Sequence, residues 1–247
     1  MRPLRKYAVG ETIVLDDGTL YKVEEQYKPY QKAKGILSHN FGQNCVYCEA
    51  SYCYKRDLNV EHILPKDPSL GYSHLEFHWD NFLQSCATCN GSDNKAKKVY
   101  LPNACHYPHL NNTFLSLKYD KGGVVVVNSN LKDLSKSKAE ALLELVGLDK
   151  SPKTSKPGDT RWQYRKDQWD IAEKYKGRYM NGLLDIDCLI EYVMAVGCWS
   201  IWFTVFDGCD EVRKQLIERF PGTAKCFDEN NHYNPVERNP DNVEDPV

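Results

Sequence analysis

Three stretches decide how this chain is read: Cys45-Val46-Tyr47-Cys48, Asn59-Val60-Glu61-His62-Ile63-Leu64-Pro65, and Trp79-Asp80-Asn81-Phe82-Leu83-Gln84-Ser85-Cys86-Ala87-Thr88-Cys89-Asn90. Two C-x-x-C knuckles in one chain supply four thiolates, the set that zinc takes in a tetrahedron, so Cys45, Cys48, Cys86 and Cys89 are expected to hold a structural Zn2+. A redox role would need a βαβ pattern beside one knuckle, and none is visible. The knuckles stand 37 residues apart, more than the roughly 15–20 of compact two-knuckle sites. The interval carries an acid, an imidazole and an amide, with a second amide directly after the last cysteine, residue types suited to a reaction centre.

Outward from the knuckles, composition narrows the class. Ten cysteines in 247 residues is about 4%, below the 8–10% of secreted disulfide scaffolds. The start, MRPLRKYAVGET, has no apolar h-region behind its charges, so no secretory signal is read and reduced thiols in the cytoplasm are expected. Hydrophobic residues at 41% and charged residues at 27% exclude a disordered or low-complexity chain and indicate a folded, soluble one. No apolar run reaches the roughly 18 residues of a membrane helix; Asp185, Asp187 and Glu191 interrupt the greasiest region, 183–206, which is a core candidate. The net charge of −2 gives no global attraction to a polyanion. Residues 228–247 hold six acids against Arg238 alone, so a basic working face elsewhere is allowed.

Local patterns predict an α+β protein. Thr12–Leu15 and Leu20–Val23 flank an Asp16-Asp17-Gly18 turn, and a helical stretch runs from about Tyr30 to Phe41. Short β stretches, Asn59 to His62 and Asn81 to Ser85, precede a polar, lysine-containing helix led by Cys89. Residues 114–119 and 124–128 read as a hairpin around Asp120-Lys121-Gly122-Gly123. The period then becomes helical: Ser135 caps a helix with Ala139, Leu142, Leu143 and Val146 on one face, ending near Gly147. Thr160 caps a second with Trp162, Trp169, Ala172 and Tyr179 on one stripe, and Asp187 a third running through Ile190, Val193 and Met194 toward Trp199. A division near residue 130 is expected, with a mixed domain over 1–130, a helical domain over 131–247, and a loose acidic tail.

In order and approximate spacing, Glu61-His62, Asn81 and Cys86-Ala-Thr-Cys89-Asn90 resemble the HNH endonucleases, whose ββα-metal finger carries an acid-His pair, a central Asn, and C-x-x-C-N at a helix start. The firm match covers residues 45 to about 98. With MRPLRK, CVYCEA, VEHILPKDP and WDNFLQSCATCN, the chain is further similar to the HNH nuclease subunit of Septu-type anti-phage systems, which works beside an ATPase of the PtuA type. The resemblance implies a zinc-clipped ββα-metal finger, a metal-dependent nuclease acting on DNA more readily than RNA, and that ATPase as partner.

On this reading His62 is the base that takes a proton from the attacking water, because imidazole titrates nearest neutrality. Mg2+ or Mn2+ prefers oxygen ligands and keeps several waters, so Glu61 and Asn90 suffice as its protein ligands. Asn81, by its family position, orients His62 through its side-chain carbonyl. One departure stands out: most such fingers place Asp before the His, where this chain has Glu61. Asp93 and Asn94, shortly after Asn90, are competing ligands.

Blander readings apply elsewhere. His74 and His78 read as loop residues; Cys53, Cys105, Cys188, Cys198, Cys209 and Cys226 as small buried hydrophobes; and Lys95, Lys97 and Lys98 as a solvated helix face. Residues 150–178 carry nine basic side chains against four acids, with aromatics at helical spacing that read as core and the basic residues as its wet side. The function classes left open beside a DNase are an RNase with the same finger and a noncatalytic zinc module that binds nucleic acid or protein.

Overall fold

The computed structural model describes residues 1–52, 58–96 and 98–247. Cys53 and Lys97 lie outside the described residues. The chain forms an α+β structure of two-stranded antiparallel sheets and helices. Strands β1 (Thr12–Val14) and β2 (Leu20–Lys22) pair across the Asp16-Asp17-Gly18 turn, as the alternation implies. A 3-10 turn at Tyr30–Ala33 leads into α1 (Lys34–Phe41).

Strands β3 (Leu58–His62) and β4 (Phe82–Cys86) pair from Leu58 opposite Cys86 to His62 opposite Phe82. Helix α1 lies against this hairpin, where Ser38 Oγ donates to Gln84 Oε1 at 2.9 Å and Gln84 Nε2 donates to the Gly42 carbonyl at 2.8 Å. Helix α2 (Ala87–Asn90) is a single turn. The lysine-containing helix expected after Cys89 does not form. At Gly91 the backbone is extended, and a Cβ there would stand 2.8 Å from the Ala87 carbonyl oxygen.

A short helix α3 (Thr113–Ser116) precedes β5 (Leu117–Asp120), which pairs with β6 (Val124–Val127) as the expected hairpin. Helix α4 (Asp133–Val146) buries Ala139, Leu142, Leu143 and Val146, and ends at Gly147 in the left-handed region. Lys132, not Ser135, is its N-cap; the Ser135 hydroxyl instead donates to Asp245 Oδ1 at 2.7 Å. Helix α5 (Arg161–Met180) buries Arg161, Arg165, Gln168, Trp169 and Ala172. Those positions follow the helical repeat, but two arginines lead the stripe and Trp162 is only half-buried. The third expected helix is two, α6 (Ile186–Val196), capped by Asp185 rather than Asp187, and α7 (Trp199–Val205), because Gly197 and Cys198 both take positive φ between them. Helix α8 (Asp210–Arg219) and the short pair β7 (Phe227–Asp228) and β8 (Asn234–Pro235) complete the order.

One hydrophobic core joins residues from both sides of residue 130, including Phe41, Tyr47, Trp79, Phe82, Leu142, Trp199 and Trp202. The extreme C-terminus packs against the fold, although residues 240–244 before it are exposed. Asp245 and Val247 are buried, and Asp245 accepts hydrogen bonds from Lys138 Nζ at 2.6 Å and Ser135 Oγ at 2.7 Å and pairs with His106 Nε2 at 2.8 Å. Among the described residues, no helix is long and apolar enough to cross a membrane.

Candidate active site

The two knuckles meet. The Sγ atoms of Cys45, Cys48, Cys86 and Cys89 lie within 4.8 Å of one another, and all four residues are buried and free of disulfides. Cys48 and Cys86 stand 3.8 Å apart at sulfur, far beyond an S–S bond and equal to the ~3.8 Å edge of a tetrahedron with ~2.3 Å Zn–S bonds. The set could bind a zinc ion. Its first knuckle hangs on β4 through Val46 N–H to the Gln84 carbonyl at 3.0 Å, and its second opens with Cys89 N–H donating to Cys86 Sγ at 3.4 Å.

The first knuckle is also fixed from outside. Glu49, at positive φ, accepts from Ser200 N–H at 2.8 Å and Ser200 Oγ at 2.7 Å, while its carbonyl accepts from Cys198 N–H at 2.8 Å. This contact requires glycine at 197, since a Cβ there would come within 2.2 Å of the Glu49 carbonyl oxygen.

Beside the cysteines opens a cleft of about 750 Å³, lined by Tyr30, Lys34, Asn59, His62, Lys66, Asp67, Glu76 and Asn90 among others. The structure thus brings His62 and Asn90 to one cavity. The His62 ring sits edge-on to Tyr30 at 4.9 Å and to Phe82 at 5.2 Å between centroids, and Lys66 Nζ lies 4.0 Å from the Tyr30 ring centre. His62 Nε2 is 2.9 Å from the Glu76 carbonyl oxygen. A carbonyl can only accept, so Nε2 carries the proton and Nδ1 of the neutral ring keeps its lone pair. Burial lowers the His62 pKa, opposed by the Glu76 carbonyl and reinforced by the Lys66 and Lys95 charges. The neutral, proton-accepting form is therefore favoured.

Glu61 is elsewhere. Adjacent strand residues point to opposite faces, and Glu61 is wholly buried away from that lining. Its Oε1 accepts from Lys95 Nζ at 2.7 Å and from Tyr47 OH at 3.3 Å, whereas Oε2 is a buried atom without a partner. Burial raises the Glu61 pKa, and Lys95 and Tyr47 work against the rise. Lys95, expected on a solvated face, is 1% exposed and also donates to the His62 carbonyl. Lys98 reaches the Glu144 carbonyl at 2.7 Å.

Asn81 does not touch His62. Its Oδ1 accepts from Leu64 N–H at 2.8 Å, and its Nδ2 donates to the Leu64 carbonyl at 3.0 Å and the Leu75 carbonyl at 3.3 Å. It staples the loop that carries Glu76, so it reaches the imidazole at one remove. Asp93 and Asn94 are engaged elsewhere: Lys156 pairs with Asp93, and Lys150 donates to Asn94 Oδ1 at 2.7 Å. His74 is exposed in a 3-10 turn, and His78 contacts Gln26 Nε2 at 3.0 Å. Of the remaining described cysteines, Cys105, Cys198, Cys209 and Cys226 are buried and Cys188 is exposed. Burial pushes the Cys105 thiol up to about 12 and the Cys226 thiol up to about 11, so neither is a thiolate at neutral pH.

No protein-family model matches the chain. Over 80 residues it is 38% identical to Septu protein PtuB of Bacillus thuringiensis. Over that segment the chain is similar to PtuB. The aligned segment is 30% of this chain and 29% of PtuB, so the chain spans under a third of the relative it matches. The sequence reading missed Glu76 beside His62, Lys95 beside Glu61 and Arg161 beside Cys89. No local signal in the sequence points to the Glu76 carbonyl at His62, because that contact is made by a loop folding back on the strand.

Proposed function

We propose that this chain is a metal-dependent HNH endonuclease that hydrolyses phosphodiester bonds in DNA, as the nuclease subunit of a Septu-type anti-phage pair. The observation that carries the proposal is His62, with Nδ1 left to accept a proton, sharing an open cleft with Asn90 on a hairpin and helix clipped by four cysteines. The similarity to PtuB supports the defence setting. Strands β3 and β4 with α2 are read as the ββα-metal finger.

In the reaction, His62 Nδ1 takes a proton from water as its oxygen attacks phosphorus. Glu76, through its carbonyl, keeps the ring in the tautomer that leaves Nδ1 free. Lys34 and Lys66 place positive charge along the cleft for the flanking phosphates. Asn90 offers an amide oxygen in the cleft, where a hard divalent ion such as Mg2+ or Mn2+ would find it, whereas Glu61, buried on the other face of β3 against Lys95, does not fit as a ligand there. That ion, when bound, neutralises charge on the phosphate and the leaving oxygen. Zinc holds the finger in register and takes no part in the chemistry. The chain's net charge of −2 fits an enzyme that engages nucleic acid together with a second subunit, an ATPase of the PtuA type.

The test is cleavage of DNA and of RNA with Mg2+, by the chain alone and with that ATPase. Wild type is expected to cut DNA, and His62→Ala to lose cutting while keeping its zinc. Wild-type rates in His62→Ala would remove His62 from the mechanism, and cutting of RNA alone would change the substrate.

A further inference from the structure

Helix α5 begins on a buried arginine that the expected wet face does not explain. Arg161 is 9% exposed, and its guanidinium N–H groups are fully used. Nη1 donates to Cys89 Sγ at 3.2 Å and to the Val146 carbonyl at 2.8 Å; Nη2 donates to the Gly147 carbonyl at 3.1 Å and to Asp159 Oδ2 at 2.8 Å; Nε donates to Asp159 Oδ1 at 2.8 Å. Arginine has five such donors in a rigid plane, so no hydrogen remains to be satisfied by water. The acceptors come from three places: a zinc-site sulfur, the C-terminal end of α4, and the loop just before α5.

The charges explain why a guanidinium stands there. Four thiolates around a divalent ion carry about −2, and the cysteines are buried. Hydrogen bonds to ligand atoms and nearby opposite charge make a buried ionic site tolerable and set its affinity. Arg161 supplies a positive charge and an N–H at sulfur, and the end of α4, which carries partial negative charge, holds the same group from behind. One turn on, Arg165 repeats the pattern without a sulfur, donating to the Gly123 carbonyl at 3.0 Å and the Leu148 carbonyl at 2.7 Å.

We infer that Arg161 is a positioning residue of the zinc site, and that through it the cysteine cluster is a joint that fastens the helices α4 and α5 to the hairpin of β3 and β4. The inference rests on the cysteines binding zinc, not on the nuclease reading. A cleft of about 270 Å³ lined by Cys48, Tyr52, Thr88 and Arg161, among others, lies against the cluster on this side.

The experiment uses the full chain loaded with zinc and a competing chelator. Wild type should bind one zinc per chain, Arg161→Met should bind it roughly 10–100-fold more weakly, and Arg161→Lys, which keeps the charge but not the fork, should fall between. In the Co2+-loaded chain, Arg161→Met should move the thiolate-to-metal charge-transfer band to longer wavelength, a change that a merely structural role would not cause. In wild type, zinc withdrawal should raise amide exchange at 143–147 and 161–165. Should Arg161→Met fail to fold, Asp159→Asn, which frees the guanidinium from its orienting carboxylate, must itself weaken zinc binding several-fold. A wild type without zinc overturns the joint by removing its centre. Zinc affinity within twofold of wild type together with an unshifted band, or unchanged exchange at both segments after zinc loss, overturns the role of Arg161 while leaving the zinc site intact.

Discussion

Replacing Lys95 by Met is expected to destabilise the protein far more than its place in a lysine-rich segment implies. Lys95 and Glu61 are each about 1% exposed at the side chain and their charged atoms are 2.7 Å apart. At an effective dielectric of ~20, that separation corresponds to a gross attraction of ~6 kcal/mol, most of it offset by the desolvation of two ions. The net worth of the pair is therefore small. Removing one partner is different, because Glu61 then keeps a buried charge with only the Tyr47 hydroxyl at 3.3 Å, and such losses run to about 3–5 kcal/mol. For a chain of this length that amounts to a fall in Tm of ~10 °C.

The assay is urea unfolding of zinc-loaded protein at constant zinc, for Lys95→Met, Glu61→Leu and the double variant. The double variant, with an apolar pair in place of the ions, should recover most of the loss, giving a coupling of about 3 kcal/mol or more. A Lys95→Met cost below about 1 kcal/mol, or a double variant as unstable as the sum of the singles, would refute the buried-pair reasoning. Lys95 also donates to the His62 carbonyl, so Lys95→Met should lower cleavage even where it folds.

Three further outcomes are expected. Cys48→Ser and Cys86→Ser should lose zinc and the order of β3 and β4, because three ligands leave an open site; full zinc occupancy by metal analysis would refute the four-cysteine set. Asn81→Ala removes three hydrogen bonds at a residue 5% exposed; it should cost about 1–3 kcal/mol in unfolding experiments and slow cleavage without loss of zinc. The Asp245 cluster should make stability fall on acidification. Burial raises the Asp245 pKa, but hydrogen bonds from Lys138, His106 and Ser135 more than offset it, so the folded value lies below the ordinary one; its contribution is present above the unfolded value of about 3.9 and lost as pH falls through the folded one. Burial likewise lowers the His106 pKa, so its penalty sets in as pH drops below its unfolded value of about 6.5. Asp245→Asn should be destabilised at pH 7 and approach wild type in acid, and a pH-independent difference in urea midpoints would exclude Asp245 as the titrating group.

Much of the architecture was legible. The turn Asp16-Asp17-Gly18, the valine run at 124–127 and the stripe ending at Gly147 each carry a local period and a stop signal, and each appears where that period places it. The two knuckles were legible because C-x-x-C is a local geometry. What could not be read is where charged side chains find partners. Lys95 reads as a solvated lysine until Glu61 is seen on the neighbouring face, and Arg161 as the wet side of a helix until Cys89 and the end of α4 surround it. The C-terminal segment looked loose because the residues that hold Asp245 lie more than a hundred positions earlier.

By itself, then, the sequence determined the chemistry available: four thiolates, an imidazole, two amides and an acid, spaced along strands and turns that period and breakers define. Only the tertiary structure decided which of them work together. Strand alternation sends His62 toward a cleft with Asn90 and Glu61 into the interior, and the loop stapled by Asn81 brings the Glu76 carbonyl to the imidazole. Residue type and local period travel with the chain, whereas the desolvation of a charge and the partner that offsets it exist only once distant segments have packed.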